Sequence, residues 1–372
     1  MTEDTKEAQN QSSNPENNTN VNNETNASSE NALDYECLNE NNECLLPFER
    51  IKRTVLIRKE AITDPKFGCK PEDRTTEELI RTGIINVDKN KGPTSHQISS
   101  YIQKIFKLKK SGHSGTLDPK VTGVLPVALE KSTKIVLALL NAGKEYVCLM
   151  HIHKDVEPKK IKEIMFKKFI GKIKQLPPIK SAVKRQWRYR KIYYIDILEI
   201  NGKDVLFTVG CQAGTYIRKL CSDIGKELGT GAHMAELRRS KAGPFNETNV
   251  TNLIDIHDAN SFYKEDGNDK WLRQIILPLE SGTDHLPKVW IFDTTVDTLC
   301  HGADLHVPGI SKIESDIQEG EVVAVMTLKN ELVLIGEARM ISAQMKKKNK
   351  GLAVKTTRVF MERGTYPRMK KK

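Results

Sequence analysis

The chain has 372 residues, with 59 Lys+Arg against 48 Asp+Glu, which is long enough for two folded domains and excludes a single small module. The first 44 residues hold ten acidic side chains and one lysine, so the remaining 328 carry 58 bases against 38 acids; a body this cationic suits a polyanion, nucleic acid first and a membrane surface second. No run approaches the ~20 apolar residues of a membrane-spanning helix, and the N-terminus lacks a basic region followed by an apolar run, so a soluble intracellular protein is expected.

Residues 1–44 contain twelve Asn with many Glu, Ser and Thr, too few apolar side chains to offset the entropy of ordering, and are expected to be disordered. From Pro47 a basic stretch (Arg50, Lys52, Arg53, Arg58, Lys59) leads through a Pro/Asp-rich connection to Ile84–Lys89, which reads as a strand entering a Gly92-Pro93 turn. Ile98, Tyr101, Ile102, Ile105 and Phe106 then follow helical spacing, with Thr94 or Ser95 available as N-cap. Glu145 to His153 and Asp204 to Cys211 read as strands; in the second, Val205, Phe207, Val209 and Cys211 fall on one face. Between them Ile161, Ile164, Met165 and Phe169 mark a helix. A charged break at Asp266 to Asp269 separates this α+β mixture from the C-terminal part, with Trp271 to Leu279 folding back on the first domain and the boundary near Gly282. Glu321 to Leu328 and Leu332 to Ala338, joined by Lys329-Asn330-Glu331, form a hairpin pattern, and Val359 to Met361 is expected to add a strand. Lys346 to Lys350 and Lys370 to Lys372 read as solvated loop and tail. The seven cysteines (Cys37, Cys44, Cys69, Cys148, Cys211, Cys221, Cys300) include no Cys-x-x-Cys pair, so reduced thiols are expected.

Three segments stand out chemically. Gly112 to Leu129 packs three glycines and two prolines around one carboxylate, Asp118, which demands tight turns and close backbone approaches. Asp118 precedes Pro119 and is pushed toward extended geometry on a loop; an Asx-type turn or cap is the alternative. Gly210 to Cys221 reads as strand, Gly turn, then helix with the stripe Ile217, Leu220, Cys221, Ile224 and Leu228, leaving Tyr216 and Arg218 off the stripe in the first turn. A cation there opposes the helix dipole, which makes sense if Arg218 serves a carboxylate or phosphate; a solvated arginine is the alternative. Gln175 to Lys191 interleaves cations with Trp187 and Tyr189, a pattern suited to phosphates and stacked unpaired bases or to an exposed basic edge strand.

From about Leu46 to Pro367 these segments together resemble the TruB-type pseudouridine synthases, in particular their archaeal and eukaryotic dyskerin branch. Gly112 to Leu129 is similar to the family's catalytic-aspartate motif and Asn86 to His96 to the strand and turn before it. Pro177 to Arg185, Ala213 to Leu220, Met234 to Arg239 and Val359 to Pro367 match as well. The resemblance implies a pseudouridine-synthase α+β fold with a mixed or antiparallel sheet over residues 45–282, a small β-rich PUA domain over 283–367 and a basic tail at 368–372.

It implies equally that Asp118 is the nucleophilic carboxylate, that Arg218 holds it ionised and aimed as a buried charge pair, and that Tyr146 stacks on the flipped base. His113, Tyr216 and Leu237 match substrate-pocket positions, Lys184 and Arg185 substrate-binding ones, and Gly302 and Ala303 the RNA-binding part of the PUA domain; Lys89 is expected near RNA or in the interior. The reaction breaks the C1′–N1 bond of uridine, rotates the uracil and rejoins it through C5. No metal or other cofactor is expected, since a carboxylate can assist unaided.

Three functions compete: isomerisation of ribosomal RNA directed by an H/ACA guide RNA, direct modification of the T-loop uridine of tRNA, and a non-catalytic RNA-binding scaffold, against which Asp118, Tyr146 and Arg218 argue. The guided reading implies three small partner proteins of the H/ACA particle: one on the catalytic domain, a β-barrel protein governing turnover and a kink-turn binder. The short C-terminus looks archaeal and implies a cytoplasmic location, with the nucleolus as the eukaryotic equivalent.

Overall fold

Alternating and helical hydrophobic patterns build two sheets here, in a computed structural model that describes residues 44–178 and 184–368. The expectation for residues 1–44, Cys44 apart, and the centre of Pro177 to Arg185 lie outside the described residues, as do Lys370 to Lys372. In chain order the first half comprises β1 (Val55–Ile57), α1 (Thr76–Thr82), β2 (Gly83–Lys89), α2 (Ser95–Ile105), β3 (Ser111–His113), β4 (Thr122–Leu129), α3 (Val136–Asn141), β5 (Lys144–Ile152), α4 (Pro158–Phe169), β6 (Gly171–Gln175), β7 (Arg188–Asn201) and β8 (Asp204–Cys211). Then follow α5 (Ile217–Glu227), β9 (Ala232–Ala242), α6 (Leu253–Asp266), α7 (Lys270–Ile275), β10 (Ile276–Pro278), β11 (Lys288–Ile291), α8 (Asp293–Cys300), β12 (Leu305–His306), β13 (Ile310–Glu314), β14 (Val322–Met326), β15 (Leu332–Ala338), α9 (Ser342–Lys347) and β16 (Leu352–Val359).

The nine-stranded sheet runs β10-β2-β4-β9-β5-β8-β7-β6, with β3 paired to β4. Its β4–β9 contact is parallel, and β9 pairs antiparallel with β5. β9 therefore links the strand leaving the Asp118 loop to the strand carrying Tyr146. Helix α2 begins where expected: the Thr94 side chain accepts from the Gln97 amide while Gln97 Oε1 accepts from the Thr94 amide at 2.8 Å, a capping box worth about 1 kcal/mol. It buries Ile98 and Ile102 against Leu125 and Val127 of β4 and Ile256 of α6; Tyr101 of the expected stripe is instead exposed. On the other half of the sheet, α4 and α5 pack Ile161, Met165, Leu220 and Ile224 onto Cys148 and Phe207. Each such aliphatic side chain contributes roughly 1.5–3 kcal/mol by leaving water.

The second sheet, of seven strands, runs β1-β13-β11-β14-β15-β16-β12. Its hairpin β14–β15 turns at Asn330, which adopts φ 66°. The last strand ends at Val359 rather than beginning there, and Lys346 and Lys347 close α9 instead of lying in a loop. Although the segment from Arg50 precedes the first sheet in sequence, β1 adds to the second, pairing Val55–Ile57 with Lys312–Glu314. Gly267, at φ 68°, caps α6 within the expected break, and β10 folds back onto β2 as expected. The sheets meet through a shared core of Ile84, Val124 and Leu279 with Ala324, Met326 and Ile335.

Candidate active site

Asp118 sits in the loop between β3 and β4, closed by a turn in which the Val121 amide donates to the Asp118 carbonyl at 2.9 Å. The loop's backbone is held on several sides. Buried Ser95, in the first turn of α2, accepts from the Leu117 amide through Oγ at 2.8 Å and donates to the Leu117 carbonyl at 3.3 Å. Gly92 donates to the Pro119 carbonyl at 2.9 Å. Lys89 is fully buried, so of its two expected settings the interior is the one found. Its Nζ donates to the carbonyls of Val121 at 2.8 Å, Asn90 at 3.0 Å and Pro119 at 3.3 Å. Desolvation first, then the Arg239 charge, holds its ammonium below the ordinary lysine range.

The fixed loop leaves the Asp118 side chain free for a partner from elsewhere in the chain, and that partner is Arg218, whose Nη2 is ion-paired with Asp118 Oδ2. Tyr216 is the N-cap residue of α5 rather than a first-turn residue. Its backbone N–H and carbonyl are both taken by the side chain of buried Gln175, at 3.0 and 3.2 Å, which staples the start of α5, and hence Arg218, to the end of β6. The pair itself is open: the side chains are 47% and 49% exposed, so the expectation of a buried charge pair is corrected. The physical reason is positional, since Asp118 lies on an exposed turn and Arg218 on the flank of α5, off its buried stripe. An exposed pair contributes about 0–1 kcal/mol to stability, and its interaction grows once a substrate displaces the surrounding water.

Tyr146 on β5 is directly opposite Arg239 on β9, and Leu237 is opposite Cys148. The Tyr146 and Leu237 side chains, both partly buried, pack on the core beneath α5 together with Met234. Burial raises the pKa of the Tyr146 hydroxyl, with the Arg239 charge acting the other way, so it is a neutral phenol. Arg239 is 1% exposed; its Nε donates to the Val124 carbonyl at 2.8 Å and its Nη2 to the Gly115 carbonyl at 3.3 Å. Close strand approach here requires glycine: Gly123 has φ 105°, and a Cβ on it would come within 2.3 Å of the Arg239 carbonyl oxygen. His113 is half-buried beside the loop with Nδ1 unpartnered. Desolvation, then Arg239 and His96, lower its pKa, which favours the neutral ring.

Arg239 and Lys89 were not singled out as positioning groups from sequence. A signal existed for Arg239: strand alternation puts it on the same face as Leu237, which points a cation into a core.

Lys184 and Arg185 are exposed ahead of β7, Arg185 donating to the Pro177 carbonyl at 3.4 Å; Ile179–Val183 between them and Pro178 lie outside the described residues. Next to them Lys174 lies 5.0 Å from the exposed Trp187 ring and Lys172 4.4 Å from Tyr189, the interleaving expected from sequence, on a strand near the sheet edge. Gly302 and Ala303 belong to the second sheet's surroundings rather than to the Asp118 cluster. Gly302 faces open space at φ 91°, and the Ala303 carbonyl accepts from Thr356 Oγ1 at 2.7 Å.

Comparison with known proteins identifies the family. Residues 103–217 match the N-terminal domain of TruB family pseudouridylate synthases, 218–283 the C-terminal domain of tRNA pseudouridylate synthase B, 287–360 a PUA domain and 44–99 a DKCLD domain. The probable tRNA pseudouridine synthase B of Methanopyrus kandleri is 55% identical over 87% of this chain and 95% of its own length. That of Thermococcus onnurineus is 56% identical over 87% and 97%. Among solved structures, a Cbf5–Nop10–Gar1 complex matches with TM-score 0.83 and 55% identity, covering 87% of this chain and 99% of the other. An H/ACA RNP bound to a substrate RNA containing 2′-deoxyuridine matches with TM-score 0.81 and 53% identity, over 87% and 99%. The chain belongs to the TruB family of pseudouridine synthases. It is an isomerase with a catalytic α+β domain followed by a PUA domain. Among the described residues no helix is long and apolar enough to cross a membrane.

Proposed function

We propose that this chain isomerises uridines presented to it by an H/ACA guide RNA, with Asp118 as the nucleophilic carboxylate. The observation that carries the assignment is the convergence of Asp118 and Arg218 from elements about a hundred residues apart. Both are left open to solvent while the backbone beneath them is held by buried side chains. In this reading the carboxylate supports C1′ as the C1′–N1 bond breaks. The freed uracil turns, a C1′–C5 bond forms, and the proton from C5 leaves as N1 gains one, so the composition is unchanged. Arg218 keeps Asp118 ionised and aimed, and the Tyr146 ring stacks on the flipped base. His113, Tyr216 and Leu237 line the pocket. Lys184 and Arg185 neutralise substrate phosphates, and Gly302 and Ala303 meet the guide's ACA end, where an open glycine lets an RNA backbone approach closely.

The guided reading is supported by likeness to a chain solved in an H/ACA particle with substrate RNA, over 99% of that chain. Small proteins of that particle are accordingly proposed as partners here, and a cytoplasmic location goes with the archaeal relatives. A second reading, guide-independent modification of the tRNA T-loop, is favoured by the names of the curated relatives.

Site-resolved pseudouridine mapping on tRNA and ribosomal RNA separates them, using the full chain alone and then with partners and a guide. The guided reading expects modification only at uridines the guide specifies and only in the assembly. Modification of the T-loop by the chain alone favours the second reading, and no modification in either arm leaves a scaffold. For the PUA contact, the probe is a guide with its ACA end replaced, bound to the full chain. Truncating the second sheet would unpair β1 from β13 and confound the result.

A further inference from the structure

Arg239 is the largest of the fully buried side chains, and among the described residues no carboxylate is ion-paired with it. A buried guanidinium without a counter-ion is costly to fold around, so its contacts need a reason. They join two pieces of the site, the Gly115 carbonyl, three residues before Asp118 in its loop, and the Val124 carbonyl, on the strand leaving that loop, while Tyr146 stands directly across from Arg239 on the next strand. The register makes this possible, because Arg239 pairs with Gly123 on one side and Tyr146 on the other.

We propose that Arg239 is a positioning residue for uridine isomerisation, holding the strand that carries Tyr146 in fixed register with the Asp118 loop so that base contact and carboxylate keep one geometry. This rests on the reading above that Asp118 reacts and Tyr146 touches the base. Arginine is required because it stays charged when buried, whereas an amine does not. Neighbouring Lys144, also buried, is pushed down to about 7 by desolvation and then by Arg239 itself.

The test is a double-mutant cycle with Tyr146→Phe and Arg239→Gln, read by single-turnover pseudouridine formation in the full assembly, with RNA affinity and melting temperature alongside. Tyr146→Phe is expected to slow the reaction about tenfold and Arg239→Gln about a hundredfold. RNA affinity is expected to stay within about twofold, and the double variant to be about as slow as Arg239→Gln alone, because both remove one coupled unit. Arg239→Lys should restore part of the rate, with its ratio to the natural chain falling as pH rises from about 6 to 8.5, since a buried amine loses its proton in that range. A merely structural cation would not produce that profile.

Multiplicative effects in the cycle, or an Arg239→Gln rate equal to the natural chain's, overturn the proposal. If Arg239→Gln does not fold, the Arg239→Lys ratio decides, and a pH-independent ratio overturns it. Asp118→Asn, run in parallel, keeps the two levels apart. If it is active, the catalytic reading itself fails; if it is inactive while the cycle is multiplicative, only the role of Arg239 fails.

Discussion

Lys89 donates from a fully buried Nζ to the carbonyl of Val121 at 2.8 Å, on the far side of the turn that presents Asp118. A cation in the interior whose hydrogen-bond partners among the described residues are all backbone oxygens has its worth in the loop it shapes. Replacing it by methionine keeps the volume and strands three carbonyls, at about 2–3 kcal/mol after the relief of desolvation. We expect Lys89→Met to lower the midpoint of denaturant unfolding accordingly and to slow isomerisation more than tenfold while RNA binding is largely kept. An unchanged rate would show that the loop holds its shape without the lysine.

If Arg218 aims Asp118 as proposed, the guanidinium's geometry and not its charge alone should matter. Arg218→Lys preserves the charge but not the planar pair of donors, and a loss of about ten- to a hundredfold in single-turnover rate is predicted with little change in substrate affinity. Because the pair is half-exposed, thermal stability should hardly move. A large drop in melting temperature would mean the pair is structural instead.

The joint between the sheets depends on Glu280. It takes a bidentate pair from Arg74, both bonds at 2.8 Å, and accepts from the Leu332 amide at 2.9 Å, tying the N-terminal segment to both halves. Glu280→Ala leaves a buried guanidinium without its counter-ion and is expected to cost about 3–5 kcal/mol. Calorimetry should show unfolding shifted to lower temperature or resolved into two transitions; a melting curve like the natural one would mean the interface core alone holds the halves together.

These contacts also mark where sequence reasoning stopped. The Asp118 loop was legible because glycine and proline density signals an enforced backbone, and Arg218 because helical phase put it off a stripe whose members are all buried. The pairing of Val55–Ile57 with a strand more than 250 residues later was not, since those three residues alternate weakly and nothing local names their partner. Helix α6 was missed because Ile254 is 72% exposed while Ile256 is buried, which blurs the apolar face. β16 was seen only at its end because Lys355, Thr356 and Arg358 dilute its apolar half. Asp118's open setting was invisible for the same reason as β1's partner: exposure is decided by what packs nearby in space.

His285 supplies a pH dependence of stability. Its Nδ1 is buried without a partner beside Phe48, and desolvation, then Lys144, pushes the ring down to about 4 from an ordinary 6.5. Between those values the unfolded chain binds the extra proton, so stability is lost as pH falls through that window, by at most about 3 kcal/mol. Urea unfolding at pH 7 and pH 4.5 should show a smaller pH-dependent loss in His285→Phe than in the natural chain. An identical loss would place the dependence elsewhere.

The most direct measurement of the central claim is single-turnover pseudouridine formation by Asp118→Asn in the full assembly, with RNA affinity measured on the same preparation. The carboxylate lies on an open turn whose backbone is held by Ser95, Lys89 and Gly92, so the near-isosteric amide should fold and bind RNA within about twofold of the natural chain. Isomerisation should fall below detection, since a neutral amide cannot support C1′. Turnover near the natural rate would contradict the assignment of Asp118 as the reacting group.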